Sequence, residues 1–191
     1  MDDINTKHMS ILNNYFPEDW IQAIGEESLM DCIFRINASL IESRLVDDVL
    51  PPAGNPLLFQ AFRETPYNSV KICVLGQDPY HDGSFNGLAF GNGSKTEDLV
   101  KGISPSLRNI LNEVERTEGS RPNPNLYEWA AQGVLLINTA HTVVRGQAGS
   151  HITLWNPFTR SVIEALNKKN DIVWLLWRSH AKFYGDLITN E

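Results

Sequence analysis

The sequence is poor in cysteine and lacks the features of a secreted, membrane-bound or metal-binding protein. Its two cysteines, Cys32 and Cys73, stand far apart and form neither a CxxC pair nor a Cys/His ligand pattern. We therefore expect reduced core thiols, no zinc and no cofactor. The N-terminal residues MDDINTKHMS lack a basic and then apolar signal, and no apolar run approaches the roughly twenty residues of a membrane span. The sequence predicts a cytoplasmic protein that does not bind membranes.

Basic residues are also in the minority. The chain has 16 Lys and Arg against 23 Asp and Glu, a formal net charge of -7. This balance argues against binding of nucleic acid through the net charge of the protein, although an acidic protein can still carry a local basic groove. With 191 residues, 42% of them apolar, the chain can bury a core, and its length predicts a single domain over residues 1–191.

Three apolar runs predict a parallel sheet. The first starts at Val70 and breaks at Gly76, and the others cover residues 134–137 and 172–177. Runs that are apolar throughout are typical of strands buried on both faces. Because helical patterns separate them, we expect an α/β three-layer sandwich in which helices flank a mostly parallel sheet.

The remaining elements are predicted from helical spacing and from proline. Residues 9–45 show a helical pattern with an apolar stripe that includes Ile36, Leu40 and Ile41, which indicates core. Residues 46–55 contain paired prolines and predict a rigid, extended loop. Three pairs predict helix starts, with the first residue as cap and proline in the first turn: Asn55-Pro56, Ser104-Pro105 and Asn156-Pro157.

Polar residues follow each predicted strand. Right-handed crossovers would place Asp78, Asn138 and Ser179 on one rim of the sheet, where α/β proteins bind ligands. Taken singly, these residues and their neighbours also fit structural roles: turn, cap or core. A nucleotide-binding domain is a weaker alternative, since GxGxxG and GxxxxGK[ST] are absent. A hydrolase pairing Asp78 with His141 or His180 lacks a GxSxG elbow.

Two motifs give these residues a family resemblance. GQDPYH at residues 76–81 and GLAF at residues 87–90 resemble the water-activating and uracil-stacking motif of the uracil-DNA glycosylases. These are monofunctional enzymes of base excision repair. The similarity extends to LPP at residues 50–52, SPSLRNI at 104–110, WAAQGVLLINTAHTV at 129–143, SH at 150–151 and LLWRSHA at 175–181.

The resemblance implies a pocket for a uracil that has been extruded from DNA. It implies that Phe90 stacks on the flipped ring and that the Asn138 amide reads the imide edge. Tyr80 would press against C5 and exclude the methyl group of thymine by a clash. The backbone amides of Gln77 and Asp78 would donate to the uracil oxygen that gains charge.

The resemblance also implies the chemistry and the grip on DNA. Asp78 would orient the attacking water and stabilise an oxocarbenium-like sugar, and His81 would hold that water or a neighbouring phosphate. Hydroxyls and backbone N–H groups would contact phosphates without reading sequence. The residues implied for phosphate binding are Pro51, Pro52, Ser104, Ser106 and Ser179.

The sequence departs from the family in four places. We find no counterpart of its fourth strand or of its HPSPLS-type loop, whose histidine stabilises the uracil anion and whose leucine wedges into the duplex. Asn86 stands where the family usually has histidine, and Arg178 where it has glycine, both near the expected DNA face. We therefore expect weak uracil excision, relatively better from single strands.

Two functions remain open from sequence. One is a uracil-DNA glycosylase acting on single- or double-stranded DNA. The other is a weak or non-catalytic glycosylase-like module that binds DNA or a replication or repair partner. We expect a monomer that a protein inhibitor or a replication partner also binds.

Overall fold

The central element is a three-stranded parallel sheet. A computed structural model describes residues 12–92 and 102–189, apart from the side chain of Arg178. The strands in these residues are β1 (Val49–Leu50), β2 (Ile72–Gly76), β3 (Val134–Asn138), β4 (Val143–Val144) and β5 (Val173–Leu176). The parallel sheet has the order β3-β2-β5, and β1 pairs with β4 in a separate antiparallel ribbon. The three predicted strands and their parallel arrangement are confirmed.

Helices lie on both faces of this sheet. In the described residues they are α1 (Glu18–Ile24), α2 (Glu26–Arg44), α3 (Gln60–Glu64), α4 (Pro105–Glu118), α5 (Tyr127–Ala131), α6 (Ile152–Leu166) and α7 (Arg178–Lys182), with short 3-10 turns at Pro56–Phe59, Tyr67–Ser69 and Gly185–Leu187. α1 and α2 pack against α6 on one side, and α4 and α5 line the other. The predicted α/β architecture is confirmed. None of the helices described is long and apolar enough to cross a membrane.

The helical stretch predicted over residues 9–45 consists of two helices in its described part. Residues 9–11 lie outside the described part, and the remainder divides into α1 and α2 at Gly25, whose φ is 103°. Glycine has no Cβ and adopts this conformation readily, so the chain turns there. The turn directs Leu29, Ile36 and Leu40 of α2 into the core, whereas Ile41, predicted as core, is 56% exposed.

Two of the three predicted helix starts are confirmed. The Asn55 side chain accepts a hydrogen bond from the backbone N–H of Leu57 at 2.9 Å, and the Ser104 hydroxyl accepts one from Leu107 at 3.3 Å. The third is wrong, because α6 begins at Ile152 and contains Pro157. A proline there removes one backbone hydrogen bond, and we attribute its tolerance to the largely buried apolar face of α6.

The strand β5 lies at an edge of the sheet, and its predicted burial on both faces is wrong because none of its four residues is fully buried. Among the described strands it pairs with β2 alone, and Val173 is 55% exposed. An apolar cavity of about 640 Å³ opens beside it, between the sheet and α4 and α5. Ile72, Val74, Leu175 and Trp177 line its sheet side.

The rigid loop predicted over residues 46–55 contains β1. Backbone pairing joins Val49 to Val144 and Leu50 to Val143, which fixes the loop against the segment that follows β3. The cysteines form no disulfide; Cys73 is buried in β2, whereas Cys32 is only half-buried in α2. Burial raises the pKa of both thiols.

Candidate active site

The ends of β2 and β3 define the polar rim of the sheet. Gly76 lies opposite Asn138 in the parallel register, and the pairing continues past the strands. The Thr139 N–H donates to the Gly76 carbonyl at 3.0 Å, and the Ala140 N–H donates to the Gln77 carbonyl at 2.9 Å. This continued pairing brings the loop that carries Asp78 to the same edge as Asn138.

The Asp78 carboxylate is partly buried and held by donors. Its Oδ2 accepts a hydrogen bond from the backbone N–H of Gly149, seventy-one residues further along the chain. Burial raises the pKa of this carboxyl, while the Gly149 N–H, the Gln77 side chain and the nearby His81 and His180 oppose that rise. The result is an oriented anion in a partly dehydrated place, where its charge acts more strongly than in water.

The hydroxyl of Tyr80 makes two hydrogen bonds. It donates to the Phe90 carbonyl at 2.8 Å and accepts from the Ser104 hydroxyl at 2.5 Å. The Ser104 hydroxyl proton is thereby used, so a phosphate would have to compete with Tyr80 for it. Phe90 itself has a φ of 65°, which is unusual for a residue other than glycine. The bond to the Phe90 carbonyl fixes the Tyr80 ring relative to the backbone that carries the Phe90 ring.

The Asn138 amide is available to a ligand. None of the hydrogen bonds found among the described residues uses this amide, although it is only half-exposed. It lies so close to Gly76 that a Cβ at that position would overlap its Oδ1. A cavity of about 20 Å³ lies between Asn138 and His141, with room for about one water. A ligand larger than water would therefore bind at the open rim beside this cavity.

The other predicted site residues lie around this rim. The Phe90 ring meets Trp177 edge-on, with centroids 5.3 Å apart. His81 is exposed at the entrance. Of the residues implied for phosphate binding, Pro52 and Ser179 are exposed, Ser104 and Ser106 are half-buried, and Pro51 is buried. The Pro51 carbonyl accepts from the Arg44 guanidinium at 3.3 Å, which places one basic side chain beside this loop.

Sequence reasoning missed Gly149 and did not predict the structural role of Asn86. Gly149, the donor to Asp78, carries no local signal. Asn86, expected near a DNA face, has a side chain that is only 5% exposed. Its amide donates to the Asn125 carbonyl at 2.8 Å and accepts from the Leu88 N–H at 3.1 Å, so it braces the GLAF loop.

His141 is a buried, neutral residue. Its Nδ1 lies 3.2 Å from the Leu58 carbonyl, which makes Nδ1 the protonated nitrogen, and its Nε2 has no partner among the described residues. Burial lowers its pKa to about 4. Its ring packs against four aromatic side chains: Phe59, Phe62, Trp155 and Phe158. His141 therefore belongs to the core and is not a partner of Asp78.

We expect His141 to make the fold sensitive to acid. Its folded pKa, about 4, lies below the ordinary value of 6.5, so between these values the unfolded chain binds a proton that the folded chain does not. Its contribution is complete above about pH 6.5 and falls by about 3 kcal/mol as the pH approaches 4. Urea unfolding at pH 7 and at pH 4.5 measures this loss.

The matched variant is His141→Phe, which keeps an aromatic ring and removes the titration. Its free energy of unfolding should fall less on acidification. The carboxylates and the buried His151, whose pKa burial also lowers, remain in both proteins. The same pH dependence in both proteins would refute the assignment to His141.

These features define a class of protein: an α/β domain with a carboxylate and an unpaired amide at the carboxyl ends of adjacent parallel strands. The sequence profile of the Uracil DNA glycosylase superfamily matches residues 62–187. Uracil-DNA glycosylases from Dichelobacter nodosus and Pseudomonas aeruginosa are 38% and 40% identical over 182 and 177 residues. The alignments cover 91% and 88% of this chain and 76% and 73% of those proteins. The chain belongs to the uracil DNA glycosylase superfamily.

Solved structures show the same fold. A mimivirus UNG variant in complex with UGI superposes with a TM-score of 0.80 at 23% identity, covering 92% of this chain. The chain spans 66% of the length of that mimivirus protein. UNG from Nitratifractor salsuginis superposes with a TM-score of 0.66 at 21% identity. The superposition covers 95% of this chain and 81% of the Nitratifractor chain.

Proposed function

We propose that the protein is a monofunctional DNA glycosylase. It hydrolyses the N-glycosidic bond of deoxyuridine flipped out of DNA, releases uracil and leaves an abasic site. The observation that supports this most directly is the shared edge of β2 and β3, which carries the Asp78 carboxylate and the Asn138 amide. Family membership adds that the protein acts in DNA repair on uracil-containing DNA.

Base recognition follows from the shapes and polar groups at the rim. The Asn138 amide offers one donor face and one acceptor, which match the N–H and carbonyl of the uracil imide. Phe90 supplies an aromatic face for the ring. Tyr80 closes the side where thymine carries its methyl group, and its two hydroxyl contacts prevent it from moving aside.

Hydrolysis follows from the charge of Asp78. Its carboxylate stabilises the positive charge on the sugar as the C1′–N1 bond breaks, and it orients the water whose oxygen bonds to C1′ and accepts the proton that this water loses. The electron pair leaves with uracil, and backbone N–H groups of Gln77 and Asp78 face the oxygen that becomes negative. His81, exposed beside this loop, holds the water or a phosphate. No metal takes part in these steps.

DNA is held at its phosphates by the same rim. The loop at Pro51 and Pro52, together with Ser104, Ser106 and Ser179, supplies hydroxyl and backbone contacts without sequence selectivity. The substrate is single- or double-stranded, and the compartment is the cytoplasm. We also propose that the protein has a surface that binds a protein inhibitor or a replication partner.

The test is single-turnover release of uracil from matched single- and double-stranded oligonucleotides in the presence of EDTA. We expect abasic sites from both substrates and no change on adding magnesium or zinc. Binding to the oligonucleotides without any release would instead identify a non-catalytic module.

Substitution of Tyr80 tests the base pocket. Tyr80→Ala removes the ring that blocks the C5 methyl, so we expect slow release of thymine together with reduced release of uracil. A T·G mismatch oligonucleotide measures the gain. Tyr80→Phe is the control, because it keeps the ring and loses only the two hydroxyl contacts, and it should exclude thymine better than Tyr80→Ala does. If the Tyr80→Ala protein is folded and releases no thymine, another residue must exclude the methyl group of thymine.

A further inference from the structure

A small cavity separates the Asn138 amide from the imidazole ring of His141. Its volume is about 20 Å³, which is enough for one water molecule. Of the described residues that line it, these two carry polar side chains, and the others are leucine, proline, phenylalanine and glycine. A polar side chain on this wall can therefore reach another one only across the cavity.

His141 brings a buried acceptor to this wall. Its Nδ1 carries the ring proton, because the Leu58 carbonyl 3.2 Å away can only accept a hydrogen bond. Its Nε2 therefore has a lone pair, and this atom is buried without a partner among the described residues. A buried acceptor without a donor is unfavourable, so a donor small enough for the cavity is expected beside the ring.

The His141 ring is not free to turn toward another donor. Four aromatic rings pack around it, with centroids between 5.0 and 5.7 Å from its own. The backbone before it is also held. The Thr139 N–H donates to the Gly76 carbonyl at 3.0 Å, and the Thr139 carbonyl accepts from the Thr159 hydroxyl at 2.9 Å. The donor must therefore come to the ring where it stands.

Asn138 brings the matching donor. Reading a uracil imide uses the amide oxygen and one of the two N–H groups, which leaves the second N–H for another acceptor. The amide oxygen lies against Gly76, and Gly76 does not line the cavity. The NH₂ group is on the opposite side of the amide, so it is the part of Asn138 that is left for the cavity.

We propose that one buried water joins these two side chains and makes His141 a positioning residue for base recognition. The water accepts from the second N–H of Asn138 and donates one hydrogen to Nε2 of His141. The amide is then held from behind while its oxygen and its first N–H face the base. This inference rests on the proposed function, because it takes Asn138 as the residue that reads uracil.

Crystal structures of the ligand-free wild-type protein and of His141→Phe locate the water. We expect one ordered water within hydrogen-bonding distance of the Asn138 amide and of His141 Nε2 in the wild type. The phenylalanine ring offers no acceptor, so the water should be lost from the variant. This test needs no activity. A wild-type cavity without water, or the same water in His141→Phe, would overturn the proposal.

Binding of free uracil, measured by calorimetry, tests the positioning role. The dissociation constant should rise about tenfold in His141→Phe, as expected for the loss of about one hydrogen bond. His141→Gln should bind uracil like the wild type, because the glutamine side chain places an amide oxygen about where Nε2 lies. Equal affinity of His141→Phe and the wild type, or a glutamine variant as weak as His141→Phe, would contradict the role of His141.

Val162→Ala is the control for a weakened core. Val162 is fully buried in α6 and does not line the cavity, so this variant should be less stable and still bind uracil like the wild type. Thermal unfolding confirms that each variant is folded. A wild-type protein that binds no uracil would count against the proposed function, and the two crystal structures would then decide the water by themselves.

Discussion

Replacement of Asp78 by Asn should reduce single-turnover uracil release by about a hundred- to a thousandfold. Asparagine keeps the size of the side chain and an oxygen that can accept from the Gly149 N–H, so the loop should stay in place. The change removes the negative charge that orients water and stabilises the sugar cation. Release from a uracil oligonucleotide, with binding to the same oligonucleotide measured in parallel, separates lost chemistry from lost affinity.

The matched control for this variant is Asp82→Asn in the same loop. The Asp82 carboxylate accepts from the N–H of Ser84 at 2.9 Å and from its hydroxyl at 2.7 Å, contacts that an asparagine oxygen can also accept. We expect near wild-type release from this variant. Equal losses in both variants would show that general negative charge in the loop, and not the position of Asp78, supports the reaction.

Replacement of Asn138 by Asp should reduce the rate of uracil release at least about a hundredfold. An ionised carboxylate has no donor and repels the carbonyls of the imide. Cytosine presents an amine at the corresponding position, so the variant should gain some release of cytosine. Gel assays for abasic sites on uracil and cytosine oligonucleotides measure both effects. Unchanged uracil release would mean that Asn138 does not read the base.

A second variant displaces the same amide without changing its chemistry. Gly76→Ala adds a methyl group where the Asn138 Oδ1 lies, and we expect uracil release to fall while the fold remains. Gly185→Ala is the control, because its new methyl would find only Leu176 at 3.7 Å, an ordinary contact. Full activity of a folded Gly76→Ala protein would show that the observed position of the amide is not required.

The sequence predicts those features that depend on neighbours along the chain. The apolar runs identify the three strands, and Asn55 and Ser104 are recognisable as helix caps because each bonds to a residue two or three positions ahead. The shared rim of Asp78 and Asn138 follows from right-handed crossovers between parallel strands. The family motif added roles for individual side chains, which remain predictions.

The features that sequence did not predict depend on contacts between distant segments. Gly149 reaches Asp78 across seventy-one positions, and β1 pairs with β4 across nearly a hundred, and neither contact has a local pattern. Ile41 looks like core at helical spacing, but the break at Gly25 sets how α2 is rotated against α6. Pro157 indicates a helix start by local preference, which the packing of α6 overrides.

The position of β5 at an edge of the sheet makes aggregation during refolding a concern. The run VWLLW at residues 173–177 has no charge and no proline, and β5 stands at the end of the described strand order β3-β2-β5. Such an edge is a template onto which another partly unfolded molecule can add a strand, and each addition exposes a new edge. This growth does not reverse on dilution. We expect turbidity during refolding or prolonged warming to begin at this strand, and refolding at low protein concentration to recover more soluble material.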